Sequence, residues 1–183
     1  MKPLPPKPFC INSQNVKAFV LGCDPTAFDT NGNRLEFEYV FDLGKGQRYF
    51  SSILKNLNTL GLTLHDIYVQ NLITHYQEIE TSKNKNWFIE AKKCLRLRKE
   101  EFDEKDPEGK IPVLLTSEYL YKVLINEEIK VNKPNSLYNL EVQIPVPPVS
   151  NSLDRPLIPL YRHRTYTLVN WPVYTETLIR LFR

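Results

Sequence analysis

The chain has little cysteine and no long apolar run. Its 183 residues include three widely spaced cysteines, Cys10, Cys23 and Cys94. This odd, sparse set excludes a disulfide framework and a four-cysteine iron–sulfur or zinc site within the chain, and it favours a reducing cytoplasm. No apolar stretch approaches the roughly 18 residues needed to span a bilayer, and the proline-rich start lacks the apolar centre of a signal peptide. We therefore predict a cytoplasmic protein that neither enters a membrane nor is exported.

Glycine is also scarce, with six residues, and the glycine-rich nucleotide motifs are missing. Residues 44–46 (Gly-Lys-Gly) do not fit the phosphate loop, and no Gly-x-Gly-x-x-Gly follows the first apolar run. No Gly-x-Ser-x-Gly elbow marks a hydrolase triad, and no histidine has partners at metal-ligand spacing. These absences exclude the common nucleotide-binding and esterase motifs, and we expect neither a metal nor a cofactor.

Length and charge set the remaining limits. With 42% hydrophobic and 25% charged residues, the chain is long enough for one well-packed core and short for two. We predict a single domain over residues 1–183, with a proline-rich N-terminal arm of about ten residues, and we expect a monomer. The net charge of +3 permits a polyanionic partner without demonstrating one.

Apolar periodicity predicts four buried strands that alternate with helices. The strands are expected at residues 18–21, 67–73, 111–116 and 157–161. The helices are expected from an N-cap at Ser51 or Ser52 to Leu60, from Trp87 to about Glu101, from Ser117 onward, and from Pro172 to the end of the chain. Strands that alternate with helices in this way predict an α/β fold, a three-layer α/β/α sandwich with a central, mainly parallel four-stranded sheet.

Three details of this pattern lead to further expectations. Pro159 predicts that the fourth strand lies at an edge of the sheet, where a missing N–H donor is tolerated. The proline-rich residues 128–159 predict an irregular connection. The second helix carries a basic face of Lys92, Lys93, Arg96, Arg98 and Lys99, which fits a solvated helix surface better than a binding surface.

Polar side chains follow three of the predicted strands. Gly22 ends the first strand and Pro25 restricts the backbone of Asp24, so that carboxylate is held in an extended pose. Asn71 lies near the end of the second strand, and His163 follows the fourth. Because the carboxyl ends of parallel strands meet at one edge of a sheet, we expect these three groups to share a site.

This order of residues resembles the uracil-DNA glycosylase superfamily. The matching stretches are residues 22–25 (Gly-Cys-Asp-Pro), 69–72 (Val-Gln-Asn-Leu) and 161–166 (Tyr-Arg-His-Arg-Thr-Tyr). Residues 112–117 (Pro-Val-Leu-Leu-Thr-Ser) are similar to the family's third strand. The likeness extends from about Val16 to the end of the chain, and the absence of four cysteines excludes the branches that carry an iron–sulfur cluster.

The resemblance implies roles for individual residues. Asp24 would stabilise the cationic sugar and orient water, while His163 would donate to a carbonyl oxygen of the leaving base. Asn71 would pair with the base, and Phe41, or alternatively Phe37, would stack on it. Further base-contacting residues would be Cys23 and Thr26. DNA-contacting residues would be Ser51, Ser52, Arg162, Arg164, Thr165 and Tyr166.

Two positions depart from the family pattern. Thr26 stands where uracil-selective members have a tyrosine that excludes the methyl group of thymine. The late loop reads His163-Arg-Thr-Tyr where the family usually has His-Pro-Ser followed by an apolar wedge, for which Tyr166 and Leu168 are candidates. The sequence thus predicts a DNA glycosylase-like hydrolase acting on uracil or a related deaminated base. The alternative is an inactive relative that binds nucleic acid or a protein through the same cleft.

Overall fold

Four parallel strands form one central sheet in the order β2-β1-β3-β4. The computed structural model describes residues 3–183, so Met1 and Lys2 of the predicted arm lie outside the described residues. The strands are β1 (Ala18–Gly22), β2 (Ile67–Asn71), β3 (Val113–Leu115) and β4 (Leu157–Pro159). All four are buried along their length, as expected for a parallel sheet with helices on both faces.

Five helices surround the sheet and complete the predicted three-layer α/β/α sandwich. They are α1 (Ser51–Thr59), α2 (Trp87–Lys105), α3 (Glu118–Leu124), α4 (Pro134–Tyr138) and α5 (Pro172–Phe182). Right-handed crossovers put α1 on one face and α2 with α3 on the other. The ring of Phe19 in β1 stacks on Phe102 in α2 with centroids 4.3 Å apart. The segment before α5 is hydrogen-bonded to α1, because the N–H of Leu168 donates to Oδ1 of Asn56 over 3.0 Å.

Several predicted helix details are wrong. The N-cap of α1 is Phe50, so Ser51 and Ser52 are inside the first turn, and neither serine caps the helix. Helix α4 lies within the segment predicted to be irregular, where Pro134 supplies the preset φ of a first helical position. Helix α2 runs four residues past its predicted end at about Glu101, to Lys105.

The basic face of α2 is neutralised by neighbouring acids. Four of its five cations pair at the surface: Lys92 with Glu127, Lys93 with Glu90, Arg96 with Glu100, and Lys99 with Asp103. Arg98 is not on the exposed face as predicted; it is buried and paired with Glu101, whose carboxylate also accepts from Tyr68 and Gln70. Burial lowers the pKa of Arg98 to about 10. These ion pairs favour the interpretation of this face as a solvated helix surface and not as a binding surface.

A buried ion cluster joins α2 to the segment before β4. Arg155 is fully buried and donates to Asp103 over 2.9 Å, to Asp106 Oδ2 over 2.5 Å, and to the Asp106 carbonyl over 2.6 Å. Its guanidinium also lies over the ring of Phe19. The cluster therefore fixes the end of α2 against the strand that leads to the late loop.

Irregular segments cover both outer strands. On the β2 side, Phe9 of the N-terminal arm exchanges two backbone hydrogen bonds with Val69, of 3.0 and 2.8 Å. On the β4 side, Val146 exchanges two with Leu157, of 2.8 and 3.1 Å. The prediction that β4, with Pro159, is the last strand of the sheet is confirmed.

Two findings concern the predictions about membrane spans and disulfides. None of the helices in residues 3–183 is long and apolar enough to cross a membrane. The three cysteines are free thiols.

Candidate active site

A cleft of about 650 Å³ opens where β1, β3 and β4 end. Its walls come from the segments that follow these strands, from the loop after β2, and from Phe41 and Pro134. The lining residues are Cys23, Asp24, Thr26, Phe41, Glu80, Thr81, Ser82, Thr116, Ser117, Glu118, Tyr119, Pro134, Tyr161, Arg162, His163 and Tyr166. The cleft brings together Asp24 and His163, which are 139 positions apart in the sequence.

Three donors fix the carboxylate of Asp24. Oδ1 accepts from the backbone N–H of Thr26 over 2.9 Å, which forms a tight turn across Pro25. Oδ2 accepts from the indole N–H of Trp87 over 3.0 Å and from the hydroxyl of Thr81 in a short hydrogen bond. Trp87 is fully buried at the start of α2, so its donor cannot move away. The carboxylate is thus held in one orientation, with Oδ1 the less saturated oxygen.

Gly22 lets two side chains approach the end of β1. A Cβ at this position would lie 2.2 Å from Oδ1 of Asn71 and 2.6 Å from Cζ of Phe41. The amide of Asn71 and the ring of Phe41 therefore lie next to each other against the glycine. Asn71 is 2% exposed and does not line the cleft, whereas Phe41 does. The amide predicted to read the base is thus buried beside the ring predicted to stack on it.

The backbone at Phe41 is strained. Phe41 and Asp42 both have a φ of 57°, a left-handed conformation that is uncommon for residues other than glycine. Two consecutive residues of this kind cost on the order of 1–3 kcal/mol each and persist only where the surroundings enforce them. The strain places the ring of Phe41 in the cleft, with Phe50 behind it at 5.4 Å between centroids.

His163 lies in the loop after β4 with its ring exposed. Nδ1 accepts from the backbone N–H of Thr165 over 3.3 Å. When the imidazole is neutral, this bond leaves the proton on Nε2, so Nε2 is the donor available to a ligand. The ring therefore meets the geometric requirement for donating to an oxygen acceptor in the cleft.

Cys23 and Thr26 also lie in the cleft, as predicted. Packing around Cys23 raises the pKa of its thiol to about 12, so the thiol stays protonated and is not a nucleophile at neutral pH. The hydroxyl of Thr26 accepts from the backbone N–H of Gln77 over 2.7 Å. This bond ties the loop after β2 to the turn that holds Asp24.

The residues predicted to contact DNA are divided between the cleft and its surroundings. Arg162 and Tyr166 line the cleft; Arg164 and Thr165 are exposed on the same loop. Ser51 and Ser52 are exposed on the first turn of α1 and are not part of the cleft lining. Tyr166 packs on Tyr138 and Trp171, and its hydroxyl donates to Asn135 over 2.9 Å. Leu168 is fully buried, so it cannot act as the apolar wedge.

Within residues 3–183, exposed cations without an acidic partner lie beside the cleft and also elsewhere, at Lys55, Lys105, Lys130, Arg180 and Arg183. Among the described residues, six such cations lie in segments that supply the cleft lining or adjoin it. Two follow Phe41, one follows Ser82, one precedes Pro134, and two flank His163; they are Lys45, Arg48, Lys85, Lys133, Arg162 and Arg164. In α2, four surface cations are paired with acids, and Lys105 lies over the ring of Tyr68. The side of the molecule that bears the cleft therefore carries uncompensated positive charge.

Sequence reasoning missed the residues that hold Asp24. Thr81 lies in a polar loop without a recognisable motif, and Trp87 was predicted only as the first residue of the second helix. Both contacts join positions more than 50 residues apart, and only the folded chain brings them together. Glu118 and Tyr161 were also missed, although each follows a predicted buried strand or lies at its end.

No protein-family model matches the chain, and no curated protein matches its sequence.

Proposed function

We propose that this protein is a monofunctional DNA glycosylase-like hydrolase that releases uracil or a related deaminated pyrimidine from DNA. The observation that carries the proposal is that a rigidly held carboxylate, Asp24, and a donor-bearing imidazole, His163, line one cleft at the carboxyl ends of the strands. Cleaving a base from its sugar creates positive charge on the sugar and negative charge on the base. The carboxylate of Asp24 would stabilise the positive charge on the sugar, and the N–H of His163 would stabilise the negative charge on the base.

Asp24 acts on the sugar side. Its three hydrogen bonds fix the carboxylate before the reaction begins, so stabilising a cationic sugar requires no reorganisation of the site. The less saturated Oδ1 accepts a hydrogen bond from the attacking water and orients it. Trp87 and Thr81 are positioning residues in this scheme, because they act through Asp24.

His163 acts on the base side. Its Nε2–H donates to a carbonyl oxygen of the departing pyrimidine, where negative charge develops. Phe41 offers a ring on which the flipped base stacks. Access to the Asn71 amide requires the ring of Phe41 to shift away from Gly22.

The charge around the cleft supports a DNA partner. The six cations without acidic partners surround a site that is built for a neutral base, so their natural ligands are the phosphates on either side of it. Thr26 has a small side chain at the position where the family that the sequence resembles excludes thymine with a tyrosine. We therefore include thymine among the substrates to be tested.

The test is release of free base from single-stranded and duplex DNA that contains uracil or a mismatched thymine. Wild-type protein is compared with Asp24→Asn, which keeps the size of the side chain and removes its charge. We expect a loss of at least about 100-fold in release, with unchanged folding. Asp29→Asn makes the same chemical change in a surface turn outside the cleft and serves as the matched control. Equal release by wild type and Asp24→Asn would refute the role of Asp24.

One observation favours a second candidate, an inactive domain that binds nucleic acid. Asn71 is 2% exposed, so the amide proposed to read the base is not accessible to a ligand. A binding-only protein would retain uracil-containing DNA, with a salt dependence set by the six cations, and would release no base. Release by wild type would exclude this candidate.

A further inference from the structure

The hydroxyl of Tyr161 is an unpartnered polar group in the wall of the cleft. Tyr161 is 3% exposed, and its hydroxyl has no hydrogen-bond partner among the described residues. The other tyrosine hydroxyls packed near it are used: that of Tyr138 accepts from the backbone N–H of Tyr161 over 2.8 Å, and that of Tyr166 donates to Asn135. A buried donor without a partner costs about 1–3 kcal/mol.

The surroundings of this hydroxyl identify the side on which a ligand reaches it. Tyr161 and Tyr166 both line the cleft, whereas Tyr138 and Tyr121, which are also close in the fold, are buried. The ring of Tyr166 lies edge-on to that of Tyr161 at 5.6 Å and is the partly exposed member of the group. The cleft is therefore the side from which a ligand reaches the Tyr161 hydroxyl.

The chemistry at this point selects the ligand. Burial raises the pKa of Tyr161 well above that of an ordinary phenol, so the hydroxyl keeps its proton and remains a donor at neutral pH. The carboxylate of Glu118 in the same lining is paired with Lys122 over 2.9 Å, and the rings of Tyr119 and Tyr166 favour a flat partner. A carbonyl oxygen on a flat heterocycle accepts from the hydroxyl and packs against these rings.

We propose that Tyr161 is a ligand-binding residue of the cleft, whose hydroxyl donates a hydrogen bond to a ring carbonyl of the bound heterocycle. The inference depends on the proposed function only in the choice of a nucleobase as the probe. It adds a specificity-determining contact on the β4 side of the cleft, separate from Asp24, Asn71 and Phe41.

The experiment combines unfolding with binding in Tyr161→Phe. Because this substitution removes a buried group without a partner, we expect the melting temperature without ligand to stay the same or rise. Tyr174→Phe is the matched control, since Tyr174 is equally buried, lies outside the cleft lining, and donates to the carbonyl of Pro159 over 2.8 Å. The control is expected to lower the melting temperature by about 2–4 °C.

Binding is measured by ligand-observed NMR with free uracil, and with unsubstituted pyrimidine as the probe without a carbonyl group. We expect Tyr161→Phe to weaken uracil binding about 3- to 10-fold, Tyr174→Phe to leave it unchanged, and pyrimidine to show no difference between wild type and Tyr161→Phe. An unchanged affinity for uracil in Tyr161→Phe would overturn the inference. So would a fall in melting temperature equal to that of the control, or an absence of uracil binding by wild type.

Base release from DNA keeps the two proposals apart. Release by wild type together with unchanged uracil affinity in Tyr161→Phe would leave the proposed function standing and remove the inference. Uracil binding that depends on Tyr161, without any release, would support the inference and refute the catalytic function.

Discussion

The substitution Gly22→Ala tests the centre of the proposed site. The new Cβ would lie 2.2 Å from Oδ1 of Asn71 and 2.6 and 2.8 Å from Cζ and Cε2 of Phe41, distances that no relaxed structure retains. The φ of Gly22 is not in the left-handed region, so the backbone itself accepts alanine. The whole effect therefore acts through two side chains that the proposed function requires.

The size of the effect follows from which group can move. Asn71 ends β2 in register with Gly22, and its backbone N–H donates to Oε1 of Gln70, whereas Phe41 is partly exposed on a short strained turn. We expect the ring of Phe41 to be displaced. Overpacking of this kind costs about 1–3 kcal/mol, which lowers the melting temperature by about 2–12 °C for a chain of this length. Base release is expected to fall much further than stability, because stacking and base reading are disturbed together.

The assay compares Gly22→Ala with Gly46→Ala, by thermal unfolding and by release of uracil from single-stranded DNA. A Cβ at Gly46 meets nothing within 4 Å and its φ is also outside the left-handed region, so that variant should equal or slightly exceed the wild type in stability. If Gly22→Ala melted like Gly46→Ala and released base at the wild-type rate, the packing of Asn71 and Phe41 against Gly22 would not matter for the site.

Three further predictions concern the scaffold. Trp87→Phe removes the N–H donor to Asp24 and should lower kcat for base release about tenfold, with a smaller change in KM. The control Trp171→Phe loses a surface hydrogen bond to the Thr165 carbonyl and should keep the wild-type kcat. Equal kcat values for Trp87→Phe and wild type would contradict the positioning role. Arg155→Ala removes a fully buried cation and leaves the carboxylate of Asp106, which is 11% exposed, without its partner, while Asp103 keeps Lys99. The variant should cost about 3–5 kcal/mol in urea unfolding, and a cost below about 1 kcal/mol would refute this. The pKa of Asp66 is lowered to about 2, chiefly by its hydrogen bond with Lys17, so its stabilising contribution is present above the unfolded pKa near 3.8 and is lost as the pH falls through about 2. Asp66→Asn should therefore flatten the fall in melting temperature between pH 4 and pH 2, and an unchanged slope would contradict it.

The strands were predictable because their information is local. Runs such as residues 18–21 are apolar on both faces, which only a buried parallel strand requires, and β1, β2 and β4 each begin at the predicted residue. The edge position of β4 was predictable because Pro159 has no N–H to donate to a neighbouring strand. Of the three groups predicted to share a site, Asp24 and His163 line one cleft and Asn71 does not. The first two meet because all four strands are parallel, so their carboxyl ends lie at one edge of the sheet.

The errors come from contacts between distant residues. Arg98 has the same local pattern as its exposed neighbours, and only the acceptor supplied by Glu101, together with Tyr68 and Gln70 from β2, explains its burial. The left-handed turn at Phe41 and the burial of Asn71 likewise depend on packing at Gly22, which no window of sequence encodes. The roles assigned to these residues stay predictions.

The backbone bonds that Phe9 and Val146 make to the outer strands restrict how this protein meets other molecules. With Val69 and Leu157 already paired on their outer sides, the sheet offers no open ladder at these positions to an incoming peptide or to a second copy of the chain. Recognition is thereby left to side chains and loops, most of which surround the cleft. Loss of the arm through Cys10 would reverse this arrangement: it would uncover Val69 and turn a strand edge into a seed for self-association that grows with protein concentration.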